Sequence, residues 1–343
     1  MELTPRKKAV LAAIIKSYIE TGEPVGSKIL TGLIENAPSS ATLRNEMSEL
    51  CGLGLLSQPH TSAGRIPTSS GLNLYVNSLM GKNELPAEAK EYIDKRFEEI
   101  SFNPEEIPLK AGKIISDLTG LPAVTCYMPQ KAVTIKRIEL MAISRHSAVI
   151  LLILSDGRTR NRIFRFSPGF DNSKLHSFRK ICDEKIKGIP VSGLNKPYIQ
   201  TLLASAGINS LDILPLVSSV FEMAESIDER TVELSGETNL YNIYGDEENA
   251  RRIISLVGHK EPFISIYKNI GKQAAVIFGN ETGYTELKNA TMVASGFGKD
   301  EYSGVISVIG PHRISYEQIL PSIEYVASKL ETAMNEALKD MED

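Results

Sequence analysis

The chain has 343 residues, 42% of them hydrophobic, and a formal net charge of −4, and this length predicts two or three domains. We expect no membrane span, because no apolar run approaches the roughly 20 residues that a membrane helix needs. We also expect no secretory signal at the N-terminus. Three widely separated cysteines without a CxxC pair favour reduced thiols in a cytoplasmic protein over a disulfide framework or a zinc site.

Three helices are predicted in the N-terminal part of the chain. Thr4 and Pro5 supply the cap and the first-turn proline of the first helix, and Gly22 stops it. Ser27 begins a second, shorter helix, which includes positions up to 34. A turn at 36–38 then leads into the third helix.

The third helix has one apolar and one polar side. Its apolar residues recur at i, i+4 and i+7 and therefore share a face: Leu43, Met47 and Leu50. The opposite face carries Asn45 and Ser48, with Thr42, Arg44 and Glu49 on its flanks. Asn pairs well with adenine, and Arg with guanine or phosphate, across a major groove of DNA. Ser39 or Ser40 can cap the N-terminus of this helix.

A short hairpin is predicted after the third helix. Gly52 and Gly54 end the helix, and leucines at 53, 55 and 56 indicate a short strand. The loop 59–65 is small and polar, and a return strand begins at Ile66 and stops at Pro67. Three helices and a hairpin in this order predict a winged helix-turn-helix.

Helices and strands alternate through the middle of the chain. Helices are predicted over 88–100 and 110–119, separated by breaks at Pro104 and Pro108. The strands that follow are predicted at 123–127, 134–141, 147–154 and 158–166. The continuous apolar run 147–154 indicates a buried central strand, and Asp156-Gly157 indicates a tight hairpin turn.

The remainder predicts a helical stretch, then more strands, then a closing helix. The pattern is mostly helical over 172–227, and a strand pair is predicted over 231–243, around Gly236. A helix at 247–257 and an amphipathic helix at 315–334 enclose further strands, predicted at 263–267, 274–278, 290–295 and 304–309. A β-rich unit is therefore predicted to be split by a helical insertion.

Several segments together resemble the heat-inducible transcription repressor family HrcA. They are GEPVGSKIL, PSSATLRNEMSEL, GLL, QPHTSAGRIPT and GLNLYVNSL, within Leu3–Leu79, and GVISVIGPHRISYEQILPSIEYVASKL at Gly304–Leu330. The resemblance implies an α+β multidomain fold: a winged helix-turn-helix (1–85), a linker helix (86–104), a discontinuous GAF-like α/β domain (105–170 and 255–343), and an inserted, mostly helical dimerisation domain (171–254).

The predicted site residues all bind DNA. Asn45 and Ser48 face base edges, and Thr42 and Arg44 lie at the groove margin. Ser39 and Ser40 lie near phosphates at the helix N-terminus. From the hairpin, the backbone or minor groove is reached by His60, Thr61 and Arg65.

No catalytic, metal or cofactor site is predicted. The five histidines form no HExxH motif, the glycine segments match neither a P-loop nor a dinucleotide motif, and no GxSxG is present. Arg158, Arg160 and Arg162 share one face of a predicted strand, and we interpret this face as solvated rather than as a nucleic-acid site. A GAF-like domain can hold a small ligand, but no residue here identifies one.

The winged helix-turn-helix pattern predicts a transcriptional repressor that binds an inverted-repeat operator as a homodimer, and the resemblance implies a negative regulator of heat-shock (chaperone) operons. The first 85 residues hold eight basic and seven acidic residues, so two copies are needed to compensate for weak monomer binding. The resemblance adds a GroEL-type chaperonin as partner. The alternative is a winged-helix regulator that senses a small molecule through its GAF-like domain. A third reading, an enzyme with a peripheral DNA-binding module, has no catalytic constellation to support it.

Overall fold

A computed structural model describes residues 3–60, 63–81, 83–100, 103–129, 132–166, 172–206, 210–227, 230–244, 247–298 and 302–339. Within these ranges the chain is an α+β protein with three separate sheets of two, five and three strands. None of the described helices is long and apolar enough to cross a membrane.

The N-terminal part contains four helices and a hairpin. They are α1 (Pro5–Thr21), α2 (Ser27–Leu33), α3 (Ser40–Gly52), β1 (Leu56–Ser57), β2 (Ile66–Pro67) and α4 (Ser69–Leu74), which continues as a π-helical turn to Leu79. The predicted start and stop of α1 are confirmed. Thr4 Oγ1 accepts a hydrogen bond from the Lys7 amide at 3.3 Å, and Gly22 adopts a left-handed φ of 74°.

Two predicted boundaries in this part differ slightly from the structure. Helix α2 ends at Leu33, so Ile34 lies just beyond it. Strand β1 begins at Leu56 rather than Leu53, because the chain first turns through Gly54, whose φ is 72°.

Two helices connect the N-terminal part to the first long strand. They are α5 (Ala87–Glu98) and α6 (Ile107–Thr119). Helix α6 begins three residues before its predicted start. The reason is that Pro108 occupies the first helical turn, where a missing amide hydrogen removes no hydrogen bond.

The larger sheet has five antiparallel strands in the order β7-β3-β10-β9-β8. The strands are β3 (Ala123–Pro129), β7 (Thr231–Ser235), β8 (Ala275–Phe278), β9 (Ala290–Gly298) and β10 (Tyr302–Pro311). Buried residues of β10 alternate between two hydrophobic clusters. Ile306 and Val308 pack in a cluster with α6, whereas Val305 and Ile309 pack in another, with helices on the opposite face.

Helices cover both faces of the five-stranded sheet. The helices are α10 (Glu237–Tyr244), α11 (Glu247–Gly258), α12 (Glu261–Tyr267) and α13 (Tyr316–Lys339). Side chains of α11 and α12 share the cluster of Val305, and α13 lies with α6 on the other face. The predicted helices near 247–257 and 315–334 are confirmed.

Two predicted strands of the C-terminal half are helices instead. The expected strand pair at 231–243 is strand β7 followed by α10, and the chain turns at Gly236 with a φ of 69°. The expected strand at 263–267 is part of α12, whose first turn holds Pro262. A short apolar run does not distinguish a buried strand from a buried helix, so periodicity alone led to the wrong assignment.

The smaller sheet has three antiparallel strands in the order β4-β5-β6. Its strands are β4 (Ile135–Ser144), β5 (Ser147–Leu154) and β6 (Thr159–Arg165), and the helices α7 (Asn172–Ile181), α8 (Lys196–Ala206) and α9 (Ser210–Glu225) follow. These elements share a hydrophobic cluster of their own, between Val133 and Ile227. This grouping differs from the predicted divisions at 170/171 and 254/255, which placed these strands with those of the larger sheet.

Strand β5 is central but covered on one face only. Its even-numbered residues, from Ala148 to Leu154, are buried, and the odd-numbered ones between them are half-buried. The predicted central position of this strand is confirmed, and its predicted burial holds for one face only. The reason is that α7–α9 cover a single face of this sheet, which pairs with no other sheet in the described part of the chain.

The N-terminal helices pack against the C-terminal helix. Residues of α1, α3 and α4 belong to the same hydrophobic cluster as α13. At this contact Tyr75 donates a hydrogen bond to Glu317 Oε1 at 2.7 Å, and Lys16 Nζ lies 3.1 Å from the same oxygen. These bonds hold the pKa of Glu317 below its usual range.

Candidate nucleic-acid interface

The apolar side of α3 fixes this helix against α1 and α2. Leu43 and Leu50 are fully buried and Met47 is nearly so. At the N-terminus Ser39 Oγ accepts a hydrogen bond from the Thr42 amide at 3.2 Å, which confirms the predicted cap. The rotation of α3 about its own axis is therefore set by its core residues.

The acidic residues of α3 are turned toward α1 and paired there. Glu46 Oε1 lies 3.0 Å from Arg6 Nε, and Glu49 Oε2 lies 2.7 Å from Lys7 Nζ. The hydrogen bond that Lys7 donates to the Glu49 carboxylate raises the pKa of Lys7. Both negative charges of the helix are therefore paired with cations of α1.

Three of the predicted contact residues lie together on this remaining side. Arg44, Asn45 and Ser48 are exposed, and Thr42 is half-buried beside Ser39. Ser40 is placed differently, because its Oγ lies 2.8 Å from Ser27 Oγ in a half-buried bond that ties α3 to α2. The Ser40 hydroxyl thus has a structural role, and its phosphate contact stays a prediction.

The hairpin is attached to the segment before α2. Val25 and Arg65 exchange two backbone hydrogen bonds of 2.9 Å. A side chain at Gly64 would place its Cβ 2.4 Å from the Val25 carbonyl carbon and oxygen, so this close approach requires glycine. His60 is exposed at the loop, and Thr61 lies outside the described residues.

A groove of about 470 Å³ separates α3 from the base of the hairpin, and predicted residues from both elements line it. Its lining is Gly26, Ser27, Arg44, Met47, Gln58, Ala63, Gly64 and Arg65. Gln58 Nε2 donates to the Ala63 carbonyl oxygen at 3.2 Å across the hairpin. The sequence-based prediction of the site did not include Gln58 and Ser27. The only signal in the sequence that could have indicated them was their position, near the hairpin glycine and the helix caps.

The arginines of β6 are arranged differently from the prediction. Arg160 and Arg162 lie opposite Leu152 and Ile150 of β5, on the side that the helices cover. The exposed side of β6 carries the intervening residues instead, including Ile163. The prediction of a solvated arginine face is therefore wrong for Arg158, which is buried, whereas Arg160 and Arg162 are partly exposed.

Each of these arginines has a carboxylate partner. Arg158 is buried with Asp156 at 2.7 Å, Arg160 Nη1 lies 2.9 Å from Glu105, and Arg162 pairs with Glu222 of α9. Asp156 lies in the turn two residues before Arg158. Glu105 and Glu222 come from the segment before α6 and from α9, which explains why local sequence did not reveal these two acids.

The described residues contain no group of His, Cys, Asp and Glu that could hold a metal ion. The three cysteines are free thiols, and two of them are buried. Burial raises the pKa of the Cys126 thiol to about 12, so this thiol stays protonated near neutral pH and is a poor nucleophile.

The chain matches a known family along most of its length. The family model described as HrcA protein C terminal domain matches residues 105–320. The heat-inducible transcription repressor HrcA of Acetivibrio thermocellus is 31% identical over 340 residues, with 96% of each chain covered. The protein of the same description from Clostridium perfringens strain 13 is 30% identical over 343 residues, with 98% of each chain covered.

A solved structure shares the fold. A crystal structure described as that of a hypothetical protein at 2.2 Å resolution superposes with a TM-score of 0.68 at 23% sequence identity. The superposition covers 98% of this chain and 100% of the other.

Proposed function

This chain belongs to the HrcA family of heat-inducible transcription repressors, and we propose that it represses chaperone operons by occupying an inverted-repeat DNA operator as a homodimer. The family consists of repressors rather than enzymes, and the chain is a negative regulator of heat-shock transcription. In this mechanism occupancy of the operator excludes the transcription machinery, so no bond is made or broken.

The N-terminal part is the proposed DNA-binding domain, a winged helix-turn-helix over residues 1–85. The order α1–α2–α3–hairpin supports this reading. In it α3 enters the major groove, Asn45 and Ser48 face base edges, and Thr42 and Arg44 lie at the groove margin. His60, Thr61 and Arg65 of the wing reach the backbone or minor groove, and Ser39 and Ser40 lie near phosphates.

One observation carries this proposal. Glu46 and Glu49 of α3 are paired with Arg6 and Lys7 of α1, and Arg44, Asn45 and Ser48 are exposed without an acidic residue among them. A cationic and amide-bearing helix surface, flanked by a hairpin, provides the donors that phosphates and base edges accept.

The rest of the chain supplies the proposed scaffold. We assign α5 to the linker helix (86–104) and the five-stranded sheet with its helices to the GAF-like domain. The separate hydrophobic cluster favours an inserted unit over 133–227 rather than 171–254. The segment 230–258 then belongs with the five-stranded sheet, because β7 pairs with β3.

The exposed face of the smaller sheet supports the homodimer. Three large apolar side chains of this sheet are more than half exposed: Met141 (52%), Ile143 (56%) and Ile163 (67%). Met141 and Ile163 flank Val149 in direct cross-strand register, which makes a contiguous apolar patch. Such patches mark association surfaces, and a second copy placed here would bury it.

A substitution that introduces a charge tests the proposed dimer surface. Ile163→Lys should convert the dimer into a monomer in sedimentation velocity runs. Ile29→Lys is a matched control, because Ile29 is also exposed (54%) but lies on α2. If the Ile163→Lys protein stayed dimeric at micromolar concentration, the two-fold axis would have to pass through another surface.

The proposed GroEL-type chaperonin partner comes from the family resemblance. The proposed cytoplasmic location is supported by the free thiols.

The test of the whole function is footprinting of the purified protein on DNA upstream of its own chaperone genes, with and without chaperonin. We expect a protected inverted repeat whose protection the chaperonin increases. Absence of protection in both conditions would refute the repressor mechanism.

The alternative, a regulator switched by a small molecule, draws support from one cleft. A cleft of about 780 Å³ lies between α5, α10 and the start of α13 and includes Tyr92, Arg313 and Gln318 in its lining. Ligand-dependent footprints in the absence of chaperonin would favour this second function.

A further inference from the structure

The groove between α3 and the hairpin brings together two arginines that are 21 positions apart in sequence. Arg44 reaches it from α3 and Arg65 from the return strand of the hairpin, and both line the same space of about 470 Å³. Gly26 and Ser27 at the start of α2 also line this space. The sequence alone predicts separate roles for these arginines, with Arg44 at the groove margin and Arg65 on the hairpin.

The groove is cationic although the N-terminal part is nearly neutral. The acids of α3 are drawn away to Arg6 and Lys7 on α1. None of the groove-lining residues is acidic. Within the described ranges, neither Arg44 nor Arg65 forms an ion pair with a carboxylate. Two positive charges therefore face one small space without a built-in counterion.

The guanidinium of Arg65 is held in place but incompletely bonded. Its Nη1 lies 3.4 Å from the carbonyl oxygens of Ala63 and Gly64, a distance at which hydrogen bonds are weak. Its Nε is buried and has no hydrogen-bond partner among the described residues. A buried donor left without an acceptor is costly, so such a group in a folded protein calls for an explanation.

The hairpin base that carries Arg65 is fixed rather than adaptable. The two bonds between Val25 and Arg65 join it to the segment before α2, and Gln58 bonds to Ala63 across the hairpin. Because α3 is fixed by its core, the fold sets the separation of the backbone at positions 44 and 65. A backbone that is preorganised in this way needs little ordering when the site binds.

We propose that Arg44 and Arg65 bind one and the same DNA phosphate in this groove. This assignment rests on the proposed DNA-binding function and deepens it. The planar guanidinium matches the geometry of phosphate oxygens and donates two bonds at once. A phosphate held from the helix and from the hairpin together fixes the register of α3 along the duplex, whereas Asn45 and Ser48 read its bases.

The test uses the full-length protein and the duplex defined by footprinting upstream of its chaperone genes. A single uncharged methylphosphonate linkage replaces each backbone phosphate of one half-site in turn, and dissociation constants are measured by fluorescence anisotropy. The variants are Arg44→Gln and Arg65→Gln. Each should weaken binding to the unmodified duplex by about 10-fold or more, as loss of a charged hydrogen bond does.

The expected result is one linkage at which both variants bind as well as the wild-type protein does. At every other linkage the weakening caused by each substitution should persist. If the two substitutions lost their effect on affinity at two different linkages, the two arginines would bind separate phosphates and the proposal would be wrong. If Arg44→Gln weakened binding at every linkage, the Arg44 side chain would contact a base, which would also overturn the proposal.

Controls separate this outcome from failure of the proposed function. Wild-type protein that protects no upstream DNA would refute the function itself, before any comparison of linkages. Arg162→Gln, whose arginine pairs with Glu222 away from the groove, should leave binding unchanged at every linkage. Arg65→Lys keeps the charge, so it should retain part of the affinity for the unmodified duplex that Arg65→Gln loses. Comparison of these two variants also reveals any folding defect of Arg65→Gln.

Discussion

Two surfaces of this molecule carry clustered arginines, and they differ in what surrounds the charge. On β6 and directly before it, Arg158, Arg160 and Arg162 each have a carboxylate within ion-pair distance. In the groove beside α3, Arg44 and Arg65 form no ion pair with the described residues, because the nearby acids of α3 pair with α1. The comparison teaches that an arginine cluster indicates an anion site only after its internal partners have been identified.

Arg158→Ala should have the largest effect on folding. Arg158 and Asp156 are both almost fully buried, and removal of one partner leaves a buried charge unpaired, at a cost of about 3–5 kcal/mol. Urea unfolding of the full-length protein measures this loss. If the free energy of unfolding fell by less than about 1 kcal/mol, the pair would behave as a surface ion pair, and the contrast between the two surfaces would weaken.

Asn45→Ala should have the largest effect on DNA binding without an effect on folding. Asn45 is exposed on α3, and a bidentate base contact contributes about 1–3 kcal/mol of discrimination. We expect operator affinity to fall by up to about 100-fold in anisotropy titrations, with an unchanged melting temperature. Asn280→Ala, at an exposed asparagine between β8 and β9, is the control. Equal affinities for both variants would remove Asn45 from the interface.

Gly64→Ala tests whether the hairpin must lie against Val25 to complete the groove. The new Cβ would be 2.4 Å from the Val25 carbonyl, and such overpacking costs about 1–3 kcal/mol. We expect a lower melting temperature and weaker DNA binding together. The matched Gly52→Ala change meets no atom within 4 Å at the end of α3 and should stabilise by up to about 1 kcal/mol. A neutral Gly64→Ala would show that the groove adapts.

Arg162→Ala should have the smallest effect of the four. Its pair with Glu222 is partly exposed, and exposed pairs contribute about 0–1 kcal/mol. Melting temperature and operator affinity should therefore change little. A pronounced loss of DNA affinity would place a second DNA contact on β6 and would contradict the division between the two surfaces.

Local sequence signals predicted the N-terminal part well, for physical reasons that act over a few residues. Caps at Thr4 and Ser39, the left-handed glycine at position 22, and the i, i+4 spacing of Leu43 and Met47 were confirmed. Each of these depends on neighbours within one or two helical turns. The exposed face of α3 followed directly from its buried face.

Signals of the same kind failed where tertiary contacts decide the outcome. The run 263–267 became a helix, and alternation on β6 predicted its arginines to be solvated. Alternation shows that two faces differ, but it does not show which face the helices will cover. Glu222 of α9, 60 positions from Arg162 in sequence, pairs with this arginine and so allows the arginine side of β6 to face the helices.

By itself the sequence determined the family, the helix and hairpin pattern of the N-terminal part, and most of the residues proposed to contact DNA. Only the tertiary structure decided that Arg44 and Arg65 line one groove, that β4–β6 form a sheet with its own core, and which arginines already have partners. The physical reason is the separation in sequence over which each kind of interaction acts. Capping and helical periodicity act between near neighbours in the chain, whereas ion pairs, sheet coverage and grooves join residues that folding alone brings together.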